Sequence, residues 1–430
     1  MSPGAKNSAK NSAKRSVLFW VQHLLGIGHL QRALRIADAL VERGIAVTVV
    51  SGGMKQNLPR DPSVALVQLP PLRALDASFA LIDEAGAPLD DRLRERRRDA
   101  LLATFAAARP NAVVLEGFPF ARRAFRFELD PLIAASRISS WRPPVICSVR
   151  DIVVVRDDPQ RHREIVDRVR RDIDRVLVHG DPALIPFDAS FPPAPDIADR
   201  LVYTGYVAHL ANPPLPGLDP GITGEGRVGV WPKAEPHPAP SDGVVVSAGG
   251  GAAGKALLEA ALAARRAGCL AHLPWRLITG KNLPECDVAA LRARAPFGVT
   301  VERFRDDFAT LLRFCRVSVS QAGYNTVLDL LMARARAVLV PFAAGRETEQ
   351  PLRAERLAAL GAAELVRESE LSPATLEAAI ERAVSRPPPS LAIDTGGAAR
   401  SARLIAAMIG GQRAAADRFA APADRAIVAR

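Results

Sequence analysis

VLFWVQHLLGIGHLQRALRIADALVERGIAVTVVSGG, residues 17–53, reads as strand, glycine loop, helix and strand in succession. Val17 to Gln22 is an apolar run, with Gln22 as its one polar residue at the end, of the kind a doubly covered parallel strand needs. Leu30 to Glu42 places Leu30, Leu34, Ala37 and Val41 on one helical face, with Gly44 as its stop. Ala46 to Val50 returns as a second strand before Gly52-Gly53. A β-loop-α-β unit of this kind opens a doubly wound parallel sheet.

Working outward, short apolar runs recur after charged helical stretches at Ala112 to Leu115, Val145 to Val149 and Val176 to Val178. Asp90 to Ala108 reads as a basic helix whose arginines form a solvated face. From Asn212 to Asp242 the chain is rich in Pro and Gly and loses helical periodicity, which is linker chemistry. A second α/β series begins at Val244 and has its own glycine loop, Ser247 to Gly254, then a helix from Lys255 to Arg266. Strands follow at Arg276 to Thr279, Val299 to Val301, Val317 to Ser320 and Ala337 to Val340. The expected organisation is a basic tail (1–15), a Rossmann-like domain (16–210) and a linker or insertion (211–242). A second Rossmann-like domain (243–400) and a helical segment (401–430) complete it.

Hydrophobic residues make up 48% and charged residues 24% of the 430, which excludes wholesale disorder. The net charge of +11 is spread among interspersed acids, so no specific nucleic-acid partner is expected. The four cysteines form no CxxC, which argues against a zinc site or a disulfide framework. No apolar stretch reaches the ~18 residues of a membrane span. A cytoplasmic protein is expected, at most peripheral on the inner face of a membrane.

In open parallel sheets the ligand crevice lies at the carboxyl ends of the strands. There this sequence gathers His29, Glu116, Arg150, Asp151, His179, Gln321 to Asn325, Glu347, Glu349 and Gln350. Gly26-Ile27-Gly28 lacks the third glycine and the ribose-binding acid of a dinucleotide fingerprint, yet it leaves amides uncovered at a helix start beside His29. Gly249, Gly250 and Gly251 suit an anion held by backbone amides and a helix dipole, and no Walker lysine follows them. Asp172-Ile173-Asp174 is a formal DxD, but in a helical run its two acids would point apart.

The run Ser318 to Asp329, followed by Val340-Pro341-Phe342 and Glu347-Thr348-Glu349-Gln350, resembles the nucleotide-sugar-binding signature of glycosyltransferase family 28, the MurG-like transferases. Gly26 to His29, Tyr203 to Val207, Ser247 to Gly254 and Phe304 to Phe308 extend the resemblance across both halves. It implies a GT-B fold, with the donor on the C-terminal domain and the acceptor on the N-terminal one. Donor binding would fall to Ser247, Gly249, Gly250, Gly251, Gln321, Gly323, Asn325 and Thr326. The backbone around Phe304 and Arg305 would read the base, Asp329 would take the ribose diol, and Glu349 and Gln350 the sugar hydroxyls. His29 would be the base, with Glu116 and Asp151 as rivals, and Gly26, Gly28, Arg32, Arg150 and His179 would line the loop and acceptor side.

The implied reaction is inverting transfer of a hexose or N-acetylhexosamine from a UDP-sugar, with no cofactor or metal. The acceptor could be a polyprenyl lipid, a polysaccharide or a small metabolite. The alternatives are a UDP-sugar hydrolase or 2-epimerase on the same fold, and a non-catalytic nucleotide-sugar or polyanion-binding protein.

Overall fold

The computed structural model describes residues 15–24, 26–75, 80–154, 158–208, 242–249, 254–266, 268–344 and 347–411. The N-terminal half runs β1 (Ser16–Val21), α1 (Gly28–Val41), β2 (Ala46–Ser51), β3 (Val64–Gln68), a small antiparallel pair β4 (Arg73–Ala74) and β5 (Leu81–Ile82), and α2 (Asp91–Ala108). It continues with β6 (Ala112–Glu116), α3 (Arg126–Ile138), β7 (Val145–Arg150), α4 (Pro159–Asp172), β8 (Arg175–His179) and β9 (Leu201–Tyr203). Its sheet is ordered β3-β2-β1-β6-β7-β8-β9, and every pairing is parallel.

The C-terminal half runs β10 (Val244–Ser247), α5 (Lys255–Arg265), β11 (Trp275–Ile278), α6 (Glu285–Arg294), β12 (Val299–Glu302), α7 (Phe308–Phe314) and β13 (Val317–Ser320). Then come α8 (Tyr324–Ala333), β14 (Ala337–Leu339), α9 (Glu349–Ala359), β15 (Glu364–Leu365), α10 (Pro373–Ser385) and α11 (Gly397–Ile409). Its sheet is β12-β11-β10-β13-β14-β15, again all parallel. The expected pair of doubly wound parallel sheets is therefore present.

Both sheets are covered on both faces, which is why β1 and β6 are apolar runs without alternation and why even the serines of the alternating Val-Ser strand β13 are buried. Strand order reverses between β1 and β6 in one sheet and between β10 and β13 in the other. At such a switch point adjacent loops diverge to opposite faces and leave a crevice. At or just beyond the carboxyl ends of these four strands lie His29, Glu116, Ser247 and Gln321.

α11 starts at Gly397, earlier than the expected segment, and returns to the N-terminal domain, where Ala402, Leu404 and Ile405 join the core around α1. This covers α1 on its outer side and explains why Leu30, Ala33, Leu34, Ile36, Ala37, Ala39 and Leu40 are all buried. The chain crosses between halves where Val207 bridges Gly396 and the Gly397 amide donates to the Tyr206 carbonyl at 3.1 Å.

Two sequence readings are corrected here. The arginines of α2 are not all solvated: Arg97 is fully buried, and its Nε and Nη2 both donate to Glu128 at 2.8 Å. Arg97 Nη1 also donates to the Gly52 carbonyl at 2.9 Å, so the basic helix is pinned to the end of β2. The DxD is not helical throughout, because α4 ends at Asp172 and Ile173 is extended. Asp174 instead accepts from the Val145 amide at 2.8 Å and pairs with Arg137. Among the described residues no group of His, Cys, Asp and Glu is arranged to hold a metal. The basic tail through residue 14 and linker residues 211–241 lie outside the described residues.

Candidate active site

His29 is the second residue of α1, directly after Gly28. A methyl group added at Gly28 would lie 3.6 Å from Asn325 Nδ2, so the loop after β1 faces the turn after β13. His29 keeps 21% of its side chain exposed, whereas Glu116, at the end of β6, is fully buried beside it. His29 Nδ1 lies 2.9 Å from Glu116 Oε1 and 3.2 Å from Arg32 Nη2. A guanidinium only donates and a carboxylate only accepts. Arg32 is already bonded to Glu116, and the carboxylate is the nearer partner, so the imidazole proton sits on Nδ1 and the Nε2 lone pair is free.

Charge fixes the roles of these groups. Burial, reinforced by the nearby Arg122 guanidinium, holds His29 well below the ordinary histidine value, so it is neutral at neutral pH. Burial alone would raise Glu116, but Arg32 and the hydrogen bonds from His29 and Ser148 outweigh it and keep the carboxyl far below its usual range. Glu116 is therefore a permanent anion that polarises His29 rather than a base in its own right.

Other residues expected in the cleft have different surroundings. Arg32 is buried and turned onto Glu116 rather than toward an acceptor. His179 is fully buried, with Nε2 2.8 Å from Ser148 Oγ and Nδ1 2.8 Å from Thr204 Oγ1, so it does not line the acceptor side. Asp151 is buried too: Oδ1 accepts from Arg353 at 3.3 Å and Oδ2 from the Tyr206 hydroxyl at 3.2 Å. Both its oxygens are engaged, which disfavours a proton-accepting role.

Arg150 crosses to the other half and donates to Glu349 Oε1 at 2.7 Å, and Arg353 donates to the same oxygen at 3.0 Å. Gln350 Oε1 accepts from the Ala322 and Phe342 amides, which ties α9 to the loops after β13 and β14. Tyr324, the first residue of α8, sits between the Arg32 and Arg353 guanidinium groups, with its centroid 5.8 and 5.6 Å from them. Its hydroxyl donates to the His179 carbonyl at 3.2 Å.

The remaining residues expected at the site are mostly in the C-terminal half. Ser247 Oγ accepts from the Gly249 amide at 3.4 Å. Gly249 has φ +68°, and a methyl group there would come within 3.4 Å of Gln321 Oε1. Gly250 and Gly251 lie outside the described residues. Gly323 caps α8 in extended conformation, which directs the helix start, Tyr324 to Thr326, at the cleft. Asp329 lies further along α8, where burial, opposed by Arg35 of α1, raises its carboxyl to about 6. Phe304 is 53% exposed, with Lys281 Nζ 4.1 Å from its ring centroid. Arg305 is held by Asp307 and Glu302, so its side chain is committed within its own loop. Gly26 is exposed at the loop tip.

Sequence reasoning gave no role to Ser148, Thr204, Tyr206, Tyr324, Arg122 or Arg353. Thr204, Tyr206 and Tyr324 lay within stretches that carried the family resemblance, and Arg353 had a local signal in its i,i+4 spacing from Glu349 on one helix.

Residues 244–406 match the glycosyltransferase family 28 C-terminal domain. A UDP-N-acetylglucosamine–N-acetylmuramyl-(pentapeptide) pyrophosphoryl-undecaprenol N-acetylglucosamine transferase from Brucella anthropi is 33% identical over 113 residues, which cover 26% of this chain and only 30% of the relative. The protein of the same description from Phenylobacterium zucineum is 26% identical over 374 residues, 84% of this chain and 87% of its own. The crystal structure of Acinetobacter baumannii MurG superposes with a TM-score of 0.51 at 18% identity, covering 91% of this chain and 99% of MurG. With two parallel α/β domains meeting at their switch points, the chain has a GT-B fold, and its residues 244–406 match the glycosyltransferase family 28 C-terminal domain.

Proposed function

We propose that this protein is an inverting glycosyltransferase that moves a hexosyl or N-acetylhexosaminyl group from a UDP-sugar to an acceptor hydroxyl, with His29 as general base. The observation that carries this reading is the His29 Nδ1 to Glu116 contact of 2.9 Å, at a switch point that faces Asn325 of the family 28 domain. As the acceptor oxygen attacks the anomeric carbon, His29 Nε2 takes its proton and the bond to the diphosphate oxygen breaks. Glu116 stabilises the imidazolium so formed. General-base help of this kind supplies about 10²–10⁴-fold.

The departing UDP carries its charge onto backbone amides of the loop after Ser247 and the start of α8. Preorganised dipoles of this kind replace a bound cation. Asp329 takes the ribose diol, and Glu349 and Gln350 bind the sugar hydroxyls. The acceptor occupies the N-terminal side of the cleft. No helix among the described residues is long and apolar enough to cross a membrane, so a lipid acceptor would be met at the membrane surface.

The test is calorimetric titration with UDP, GDP and dTDP in EDTA, followed by turnover of UDP-N-acetylglucosamine with and without acceptors. Selective UDP binding in EDTA and acceptor-dependent UDP release are expected, and His29→Ala should lose about 10²–10⁴-fold in turnover with donor affinity unchanged. UDP release or a new sugar from donor alone would favour a hydrolase or epimerase. Absence of any nucleotide binding would refute the assignment.

A further inference from the structure

Glu116 does not stand alone behind His29. Glu116 ends β6, Ser148 lies beside it in register on β7, His179 ends β8, and Thr204 follows β9. Neighbouring strands are about 4.8 Å apart, so side chains at this common edge reach one another laterally. Glu116 Oε2 lies 2.7 Å from Ser148 Oγ, Ser148 Oγ 2.8 Å from His179 Nε2, and His179 Nδ1 2.8 Å from Thr204 Oγ1. All four residues are fully buried.

The partners order the protons of this chain: the Thr204 hydroxyl also lies 3.3 Å from the Val178 carbonyl and 3.1 Å from the Gly205 carbonyl, but His179 Nδ1 at 2.8 Å is its nearest acceptor. Ionised Glu116 only accepts, so the Ser148 hydroxyl donates to it. Ser148 has then spent its only proton and must accept from His179 Nε2–H. Burial, aided by Arg32, lowers His179 to about 3, so its ring is neutral and Nδ1 accepts from the Thr204 hydroxyl. Every donor therefore points toward Glu116, and His29 Nδ1–H meets the same carboxylate from the cleft side. The far end is tied to the donor half, because the His179 carbonyl accepts from the Tyr324 hydroxyl.

We infer that Ser148, His179 and Thr204 are positioning residues, a one-directional hydrogen-bond relay that fixes the Glu116 carboxylate and so holds His29 in the tautomer with Nε2 free. None of the three touches the cleft, and their effect on the reaction passes through Glu116. The inference rests on the reading of His29 as base. The charged and titratable groups facing His29 are Glu116 from β6, Arg32 from α1, Arg150 from β7 and Arg122 from the turn after β6.

The test uses the full chain labelled with [15N]histidine, in which imidazole nitrogen shifts distinguish Nδ1–H from Nε2–H. His29→Gln and His179→Gln assign the resonances. Wild-type protein is expected to show His29 protonated on Nδ1 and His179 on Nε2 at neutral pH. Ser148→Ala should release His29 into a mixture of tautomers and lower kcat about 10–100-fold with donor KM unchanged, and Ser148→Thr should restore both.

A single Nδ1–H tautomer and wild-type kcat in Ser148→Ala would overturn the relay. Should that variant not fold, isosteric Thr204→Val against Thr204→Ser takes its place, with kcat and the His29 resonances read in the same way. A wild-type chain that turns over no UDP-sugar would defeat the transferase reading instead. The tautomer spectra would then still decide the relay.

Discussion

At the scale of single residues, the site is a set of acids and bases driven apart by their surroundings. Glu116 is kept ionised by Arg32, His29 is kept neutral by burial, and Asp329 is raised to about 6 by burial against a weaker pull from Arg35. A ribose diol is best held by a carboxylate that accepts from both hydroxyls. Because the Asp329 value is raised, its charge is present above about 6 and is lost as the pH falls through that value. UDP affinity should therefore be level at neutral pH and decline below about 6, and Asp329→Asn should bind weakly and lose this dependence. Titrations across the range check this, and a slope unchanged in Asp329→Asn would reassign the titrating group. His29, Glu116 and the glycine loops were legible because strand ends and glycines punctuate the sequence. Their pairing was not, since it joins residues far apart in the chain, and the burial of His179 and Arg32 depends on strands and helices that local sequence does not place.

At the scale of elements, two features are carried by interactions that composition hid. Arg97 anchors α2 through the buried Glu128 carboxylate, which also accepts from Trp20 Nε1 at 3.0 Å. Arg97→Ala leaves that carboxylate uncompensated and should destabilise the N-terminal half by about 3–5 kcal/mol, whereas Arg97→Met with Glu128→Gln should cost much less. Chemical denaturation of the three proteins makes the comparison, and equal losses would show that packing rather than charge is at stake. The crossing between halves depends on glycine in the same hidden way. Gly205 has φ +80°, and a methyl group there would meet Asp394 at 2.7 Å; one at Gly397 would meet the Gly205 carbonyl at 2.3 Å. Gly397→Ala must push two crossing backbones apart, so it should lower the melting temperature and weaken docking of α11 on α1. Hydrogen exchange in α11 reads this directly, and unchanged protection would mean the crossing yields without strain. The strands were readable as buried apolar runs, but the return of α11 depends on Val207 meeting Gly396, which no local periodicity encodes.

At the scale of the whole molecule, the two halves share one buried apolar cluster, with Ile152, Leu184 and Ile185 from one and Tyr324, Leu328 and Leu357 from the other, and are joined by charge across the cleft as well. Arg150 and Asp151, at the end of β7, meet Glu349 and Arg353 on α9, and Tyr324 is packed between Arg32 and Arg353. Glu349 is thus shared between Arg150 of one domain and the place where the family 28 resemblance puts the donor sugar. Sugar hydroxyls arriving there compete with the Arg150 bond or add to it, which couples donor occupancy to the spacing of the domains. Arg150 is partly exposed, so its bond is weaker than the buried Arg353–Asp151 pair. Arg150→Ala should therefore loosen the contact between the halves without unfolding either of them. In solution scattering its radius of gyration should exceed that of the wild type when nucleotide is absent. kcat should fall while UDP affinity, if it is set within the C-terminal half as proposed, changes little. Closing the domains excludes water from the reacting carbon, so the same variant should release more UDP by hydrolysis of the donor per sugar transferred. If scattering and the ratio of hydrolysis to transfer both stay at wild-type values, the ionic contact is incidental. The domains would then be held by Tyr206, Tyr324 and the Arg353–Asp151 pair, and Glu349 would be free to serve the sugar alone.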